Sequence, residues 1–354
     1  MNLRVLVVDD TIVFRRAISD ALAGEPGTEV VGTASNGKLA LARIAELRPD
    51  LVTLDIEMPE MNGLEVLEAM NATKSTAGAI VLSSLTTRGG EMTVRALELG
   101  AFDFLTKPNG CGPGASVSEL RAQLLPIVRA YRRKREIRSI LHAPAAPPIT
   151  TSTMRIPARS SAPLVLIGVS TGGPVALSRV LPALPADLGA PVFIVQHMPA
   201  LFTAPLAASL ASKSAIPVKE ASDGEVALNN CVYIAPGGAQ MKLFPGPKGE
   251  VTIRITDDPP ENNCRPAVDY LFRSAALHFP GRAVAAILTG MGNDGTAGLR
   301  MLKRGGCYAI AQNELTCVVY GMPKEAIATG LVDAIEPIEG IAGAILRSVR
   351  GTRV

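Results

Sequence analysis

The chain has no tryptophan, only 4% aromatic residues, and three histidines among 354 residues. So few rings leave little to interleave with basic residues on a nucleic-acid-binding surface. Cysteine is also scarce. Cys111, Cys231, Cys264, Cys307 and Cys317 are odd in number and none stands in a C-x-x-C pair, which excludes a zinc ribbon or a disulfide frame and reads as reduced cytoplasmic thiols. No run of 18 apolar residues occurs, and Asp9 and Asp10 interrupt the first apolar segment, so neither membrane insertion nor export is expected. Neither charge sign dominates: 35 basic against 32 acidic residues leave a net +3. What remains is ample for folding. With 47% hydrophobic and 19% charged residues the chain buries sizeable cores, and its length exceeds the roughly 250–300 residues that one core serves, so two domains are expected.

From residue 3 to about 121 short apolar runs alternate with amphipathic ones. Strands are expected at 3–8, 29–32, 51–54, 79–82 and 102–105, with helices between them such as 37–47, where Leu41, Ile44 and Leu47 share a face. Five strands with intervening helices imply a parallel, doubly wound sheet. A closing helix runs from about Ser118 to Ile140, with Pro126 as a kink or restart. Residues 142–163 are mostly Ala, Pro, Ser and Thr, with Pro144, Pro147, Pro148 and Pro157, and read as a linker. Strands expected at 164–169, 192–196, 231–235, 251–255, 283–288 and 307–311 begin a second α/β unit. The expected division is therefore a first domain over 1–122, a helical extension and Pro-rich linker over 123–160, and a second domain over 161–354.

Ligands of an open parallel sheet lie beyond the carboxyl ends of its strands. There the first domain presents Asp9-Asp10, Asp55, Ser83-Ser84 and Thr106-Lys107-Pro108. Three carboxylates in one cleft repel unless a hard cation joins them, and oxygen ligands open to water suit magnesium. Lys107 adds a cation for a phosphoryl oxygen. Any one of these aspartates alone is ordinary loop chemistry. As a set, through VVDD at 7–10, DIEMPEMNG at 55–63, SS at 83–84 and KP at 107–108, they resemble a response-regulator receiver domain. The resemblance implies that Asp55 accepts a phosphoryl group from a histidine kinase. It implies Mg2+ held by Asp9, Asp10, Asp55 and the Glu57 backbone carbonyl, with Ser83, Phe104 and Lys107 as the phospho-switch.

In the second domain Gly168-Val169-Ser170-Thr171-Gly172 follows a strand and precedes a helix pattern, the context that a G-x-S-x-G nucleophile turn requires. Its hydroxyl would face a helix N-terminus that favours an oxyanion. Loops of this composition also cap helices or bind phosphate. A serine nucleophile needs a base near neutrality, usually histidine. His142 lies in the linker and His278 closes the helix pattern 266–277. His197 follows the apolar strand 192–196, at the same sheet edge as Ser170, although a core or capping histidine has the same sequence signature. Asp294, after strand 283–288, fits as the third member. The order Ser…His…Asp differs from that of α/β-hydrolases, so that fold is not implied.

Two rivals stand beside this reading. Gly290, Gly292 and Gly295 spell G-x-G-x-x-G, with Glu314 about 20 residues on, as in a dinucleotide site; Asp294 would then set a negative side chain beside the pyrophosphate. Arg129, Arg132, Arg133, Lys134, Arg135 and Arg138 form a basic stretch that a nucleic-acid-binding output domain would use, or equally a solvated helix face.

GVSTGGP, VQHMP, ILTGMGNDGTAG and AQNELTCVVYGMP together resemble the catalytic domain of chemotaxis response-regulator protein-glutamate methylesterases, and with the receiver in front the resemblance covers almost the whole chain. It implies two doubly wound parallel-sheet domains, a flavodoxin-like receiver and a Rossmann-like methylesterase domain. Their implied activity is phosphorylation-activated hydrolysis of γ-glutamyl methyl esters on chemoreceptor cytoplasmic helices, and in many members deamidation of receptor glutamines. Ser170, His197 and Asp294 fall on the family's triad, and Thr171 and the Met291 amide on its oxyanion and substrate-positioning sites. No cofactor is expected in this domain, nor nucleic acid or membrane as partner. Gln240 stands where many members carry histidine.

Overall fold

The computed structural model describes residues 2–107, 115–140 and 163–351, and the chain divides into two units between Ala145 and Ala146. In the first, β1 (Leu3–Val8), α1 (Ile12–Leu22), β2 (Thr28–Ala34), α2 (Gly37–Leu47), β3 (Leu51–Asp55), α3 (Gly63–Ala72), β4 (Gly78–Ser83), α4 (Thr87–Glu98), β5 (Asp103–Thr106) and α5 (Ala115–Ile140) alternate along the chain. The strands form one parallel sheet in the order β2-β1-β3-β4-β5. Central β3 is buried along its whole length, as the run Leu-Val-Thr-Leu-Asp requires of a strand covered on both faces. Asn62 and Glu65 close a capping box on α3, which fixes the loop after Asp55.

The division expected at residue 122 falls inside one continuous helix, because α5 runs through Pro126 and beyond. Leu124, Leu125, Ile127 and Val128 are buried. The Tyr131 hydroxyl donates to the Asp50 carbonyl at 2.9 Å and accepts from the Gly78 amide at 3.0 Å. Arg129 grips the Glu25 carboxylate through two bonds of 2.8 and 2.7 Å. Residues 123–136 thus pack as part of the first unit. Three more residues of the basic stretch are engaged by their own domain: Arg132 bonds the Pro26 carbonyl, Arg135 pairs with Asp50, and Lys134 lies over the Phe102 ring. The Pro-rich linker, His142, Cys111, Pro108 and the Arg138 side chain lie outside the described residues.

The second unit contains β6 (Leu164–Val169), α6 (Gly173–Val180), β7 (Val192–Gln196), α7 (Thr203–Ala211), β8 (Val218–Glu220), β9 (Val232–Ile234), β10 (Gln240–Pro245), β11 (Val251–Thr256), α8 (Val268–His278), β12 (Ala283–Ile287), α9 (Thr296–Arg304), β13 (Tyr308–Gln312), α10 (Met322–Ala328), β14 (Ala334–Glu336) and α11 (Ile338–Arg350). Seven strands form a parallel sheet in the order β14-β13-β12-β6-β7-β9-β8. The strand expected at 251–255 forms, but outside this sheet. As β11 it pairs antiparallel with β10, because the Pro-Gly-Pro-Lys-Gly turn after β10 folds the chain back on itself. Strands β8, β10 and β14 had no clear sequence signal; β8 and β14 are three residues long and carry charged or exposed positions.

Strand order reverses around β6, with β7 on one side and β12 on the other, and a ligand crevice opens at such a switch point. Ser170, His197 and the loop from Thr289 to Asp294 leave these three strands at the same edge.

Candidate active site

In the first unit, Asp9 and Asp55 are buried and Asp10 is exposed, and a carboxylate oxygen from each lies within 4.8 Å of the other two. Lys107 Nζ stands 2.8 Å from Asp9 Oδ2 and 2.7 Å from Asp55 Oδ2. One lysine faces three carboxylates, so negative charge stays in excess. Asp55 shows it: burial, abetted by Asp9, outweighs Lys107 and pushes its carboxyl up to about 6. The oxygen-only donor set and this uncompensated charge fit a hard divalent cation. Asp9 Oδ1 is taken by the Thr11 amide and hydroxyl at 2.9 and 2.7 Å, leaving Oδ2 facing the cleft's lysine. Ser83 is buried and donates to the Gly89 carbonyl at 3.1 Å, whereas Ser84 reaches the Glu57 carboxylate at 2.5 Å. Phe104 is half-buried on β5. Sequence reasoning did not single out the Ser84–Glu57 pair.

In the second unit the Ser170 turn is held from three sides. Its amide donates to the Thr289 carbonyl at 3.0 Å, and its carbonyl accepts from the Gly173 amide at 2.7 Å and from Gln196 Nε2 at 3.1 Å. Gln196 Nε2 also reaches the His197 carbonyl at 3.0 Å, so one amide ties the serine turn to the histidine. Gly172 has φ +78°, and a Cβ there would stand 2.4 Å from Val318 Cβ, which is why the turn needs glycine. Thr289 Oγ1 donates to the Thr171 carbonyl at 2.9 Å and fixes the residue after the serine. Among the described residues Ser170 Oγ has no hydrogen-bond partner; it is partly exposed.

His197 and Asp294 are joined by a 2.7 Å bond between Nε2 and Oδ2. Asp294 is 2% exposed yet saturated with donors. Its oxygens accept from the amides of Val268 (2.7 Å), Asp269 (3.0 Å) and Gly295 (2.9 Å) and from Asn262 Nδ2 (3.0 Å). Burial would raise its pKa, but the bond to His197 and its charge, and after them the Asp269 and Val268 amides that open α8, hold it below the usual carboxylate range. Burial alone would lower the His197 pKa, but the bond to Asp294, the contact with Cys264 and their charges raise it to about 9. The second ring nitrogen, Nδ1, lies 3.5 Å from Cys264 Sγ. Neither Cys264 nor Asn262 carried a sequence signal, since both come from an irregular loop that only the fold brings to the histidine.

The remaining expectations find these places. Thr171 is buried and Met291 partly buried, both on loops at the sheet edge with Ser170. Gln240 is fully buried, accepting from the Ala267 amide at 2.9 Å and donating to the Pro259 carbonyl at 3.0 Å, so it anchors the loop that precedes α8. The G-x-G-x-x-G loop does join a strand to α9, but Asp294 within it turns inward to His197 and Glu314 is exposed. A dinucleotide-binding output is not favoured, nor is a nucleic-acid-binding one.

A family model described as CheB methylesterase matches residues 165–345, and one described as response regulator receiver domain matches residues 5–112. A protein of Desulfotalea psychrophila named protein-glutamate methylesterase/protein-glutamine glutaminase is 50% identical over 360 residues, covering 99% of both chains. A Bacillus subtilis protein of the same name is 45% identical, covering 99% of this chain and 100% of its own. The crystal structure of the Thermotoga maritima CheB methylesterase catalytic domain is 43% identical, with a TM-score of 0.52, and covers 53% of this chain and 98% of that one. Among the described residues no helix is long and apolar enough to cross a membrane.

Proposed function

The chain belongs to the CheB methylesterase family, with a receiver domain ahead of the catalytic one, and from that premise we propose that it is a protein-glutamate methylesterase and protein-glutamine glutaminase of bacterial chemotaxis, switched by phosphorylation of Asp55. The observation that carries the catalytic reading is the Asp294–His197 pair at the sheet edge where the Ser170 turn also ends.

Ser170 Oγ is the nucleophile toward the γ-carbonyl of a methylated glutamate or a glutamine on chemoreceptor cytoplasmic helices. Nε2 of His197 is committed to Asp294, so Nδ1 is the nitrogen left to take the serine proton. Its raised pKa means that the resting imidazole carries a proton which it must release first. Asp294 holds the ring's orientation and balances the charge it gains. Thr171 and the Met291 amide stabilise the developing oxyanion. The imidazolium then gives its proton to the departing methoxide oxygen or amide nitrogen, which leaves as methanol or ammonia; water deprotonated at the same nitrogen attacks the acyl carbon, and Ser170 leaves with the returned proton.

In the receiver, Asp55 accepts the phosphoryl group of a chemotaxis histidine kinase. Asp9, Asp10, Asp55 and the Glu57 carbonyl would hold magnesium, which supplies charge neutralisation to the phosphoryl oxygens when bound. The new phosphoryl charge draws Lys107 and Ser83 toward it, with Phe104 following. The site of action is cytoplasmic. The test is methanol release from methyl-labelled receptor fragments by the purified full chain, with and without a small phosphodonor and magnesium. Release that rises with the phosphodonor is expected. No release from a folded chain under either condition would refute the assignment.

A further inference from the structure

Cys264 transfers no proton in that chemistry, yet its sulfur stands against the nitrogen the chemistry needs. We propose that Cys264 Sγ and His197 Nδ1 form a binding site for a borderline-soft divalent cation of the zinc class, and that occupancy blocks the esterase.

The geometry carries the argument. Sγ and Nδ1 are 3.5 Å apart, and Zn–S and Zn–N bonds of about 2.3 and 2.0–2.1 Å at a tetrahedral angle span roughly 3.5 Å between the donor atoms. The two atoms are already spaced as two ligands of one ion. Behind the ring, Asp294 Oδ2 takes Nε2 at 2.7 Å, the carboxylate–histidine arrangement that orients a metal-bound imidazole. Ligand atoms of His197, Cys264 and Asp294 all lie within 4.8 Å of one another. Asp294 serves in the outer role here, because its oxygens are filled by three amides and Asn262.

The loop holds the thiol in place. Glu261 and Cys264 exchange backbone bonds of 3.1 and 2.8 Å, Asn262 and Asn263 between them take left-handed φ values of 52° and 58°, and Asn262 is bonded to both Asp269 and Asp294. Glu261 is paired with Arg273. Access is available as well: Cys264 is partly exposed, whereas Cys231, Cys307 and Cys317 are buried. The sulfur, nitrogen and two waters complete a four-coordinate zinc, and a sulfur ligand separates this site from the oxygen-only cleft of the receiver, which suits magnesium.

The inhibitory consequence rests on the reading of His197 as the base of the esterase, whereas the binding does not. The full chain, saturated with magnesium, is titrated with zinc while methanol release is followed, and in parallel with cobalt(II) while sulfur-to-cobalt charge-transfer absorption is followed. Zinc is expected to abolish turnover progressively as the site fills, because the bound nitrogen can no longer accept the serine proton. In Cys264→Ser and Cys264→Ala, each compared with its own metal-free rate, that sensitivity should vanish together with the cobalt–sulfur band. Asp55→Asn should keep both. Undiminished zinc sensitivity in the Cys264 variants, or no cobalt–sulfur band in the unmutated chain, would overturn the site. A Cys264-dependent band with unchanged turnover would uphold the site and refute His197 as the base.

Discussion

Two aspartates of this molecule are equally hidden from water, Asp55 and Asp294 at 2% exposure each, and their surroundings drive them in opposite directions. Asp294 receives three backbone amides, an asparagine amide and an imidazole, and its pKa falls. Asp55 shares one lysine with Asp9 and takes a single long bond of 3.3 Å from the Glu57 amide, and its pKa rises to about 6. Burial is common to both and cannot decide the outcome; the supply of donors does. A carboxylate with every lone pair occupied is suited to hold an imidazole still. One left short of donors is suited to bind a cation or become phosphorylated.

The largest effect is expected from Asp294→Asn, which keeps the shape and removes the charge that fixes His197. By analogy with other triads kcat should fall about 10⁴-fold. The same change withdraws a group that raises the His197 pKa, so the ascending limb of the pH–rate profile, expected to climb toward about 9 in the unmutated chain, should move to lower pH. A limb that stays in place would mean that Asp294 does not set the histidine's charge.

Thr171→Ala should be milder, about 10²–10³ in kcat, because it removes one oxyanion contact and leaves nucleophile and base. An effect as large as that of Asp294→Asn would argue for a fold defect, which a thermal melt would reveal.

Asp55→Asn tests the other half. A folded-state pKa near 6 against 3.8 means that the native protein holds this proton where the unfolded chain has released it. Stability therefore declines as pH rises from about 4 to 6 and stays reduced above that. Asparagine lacks the charge, so at neutral pH without metal the receiver should be more stable in Asp55→Asn, by about 1–3 kcal/mol, and so melt at a higher temperature. Magnesium should narrow the gap by stabilising the unmutated cleft. A metal-free Asp55→Asn receiver less stable than the original would contradict the excess of negative charge.

The fold was largely legible where strands are buried on both faces. Residues 3–8, 164–169 and 192–196 read as strands and are strands over the same residues, since a parallel strand covered on two sides leaves a continuous apolar run. Legibility failed where a strand is short and half polar, as in Val218–Glu220 and Ala334–Glu336, or where pairing depends on a turn, as in the Gln240–Pro245 hairpin. The basic residues of α5 look solvated in sequence, whereas Arg129 and Arg135 are bound to Glu25 and Asp50. For the candidate site, strand ends announced Ser170, His197, Asp294, Asp9 and Asp55. They did not announce Gln196, Asn262, Thr289 or Cys264, which act through contacts between segments 26 to 118 residues apart.

Methanol release measured side by side for the unmutated chain, Ser170→Ala and Asp55→Asn tests the division of labour most directly. The unmutated chain should release methanol faster with phosphodonor, Asp55→Asn should release it at a rate indifferent to phosphodonor, and Ser170→Ala should release essentially none. Substantial hydrolysis by a folded Ser170→Ala chain would contradict the assignment of the nucleophile.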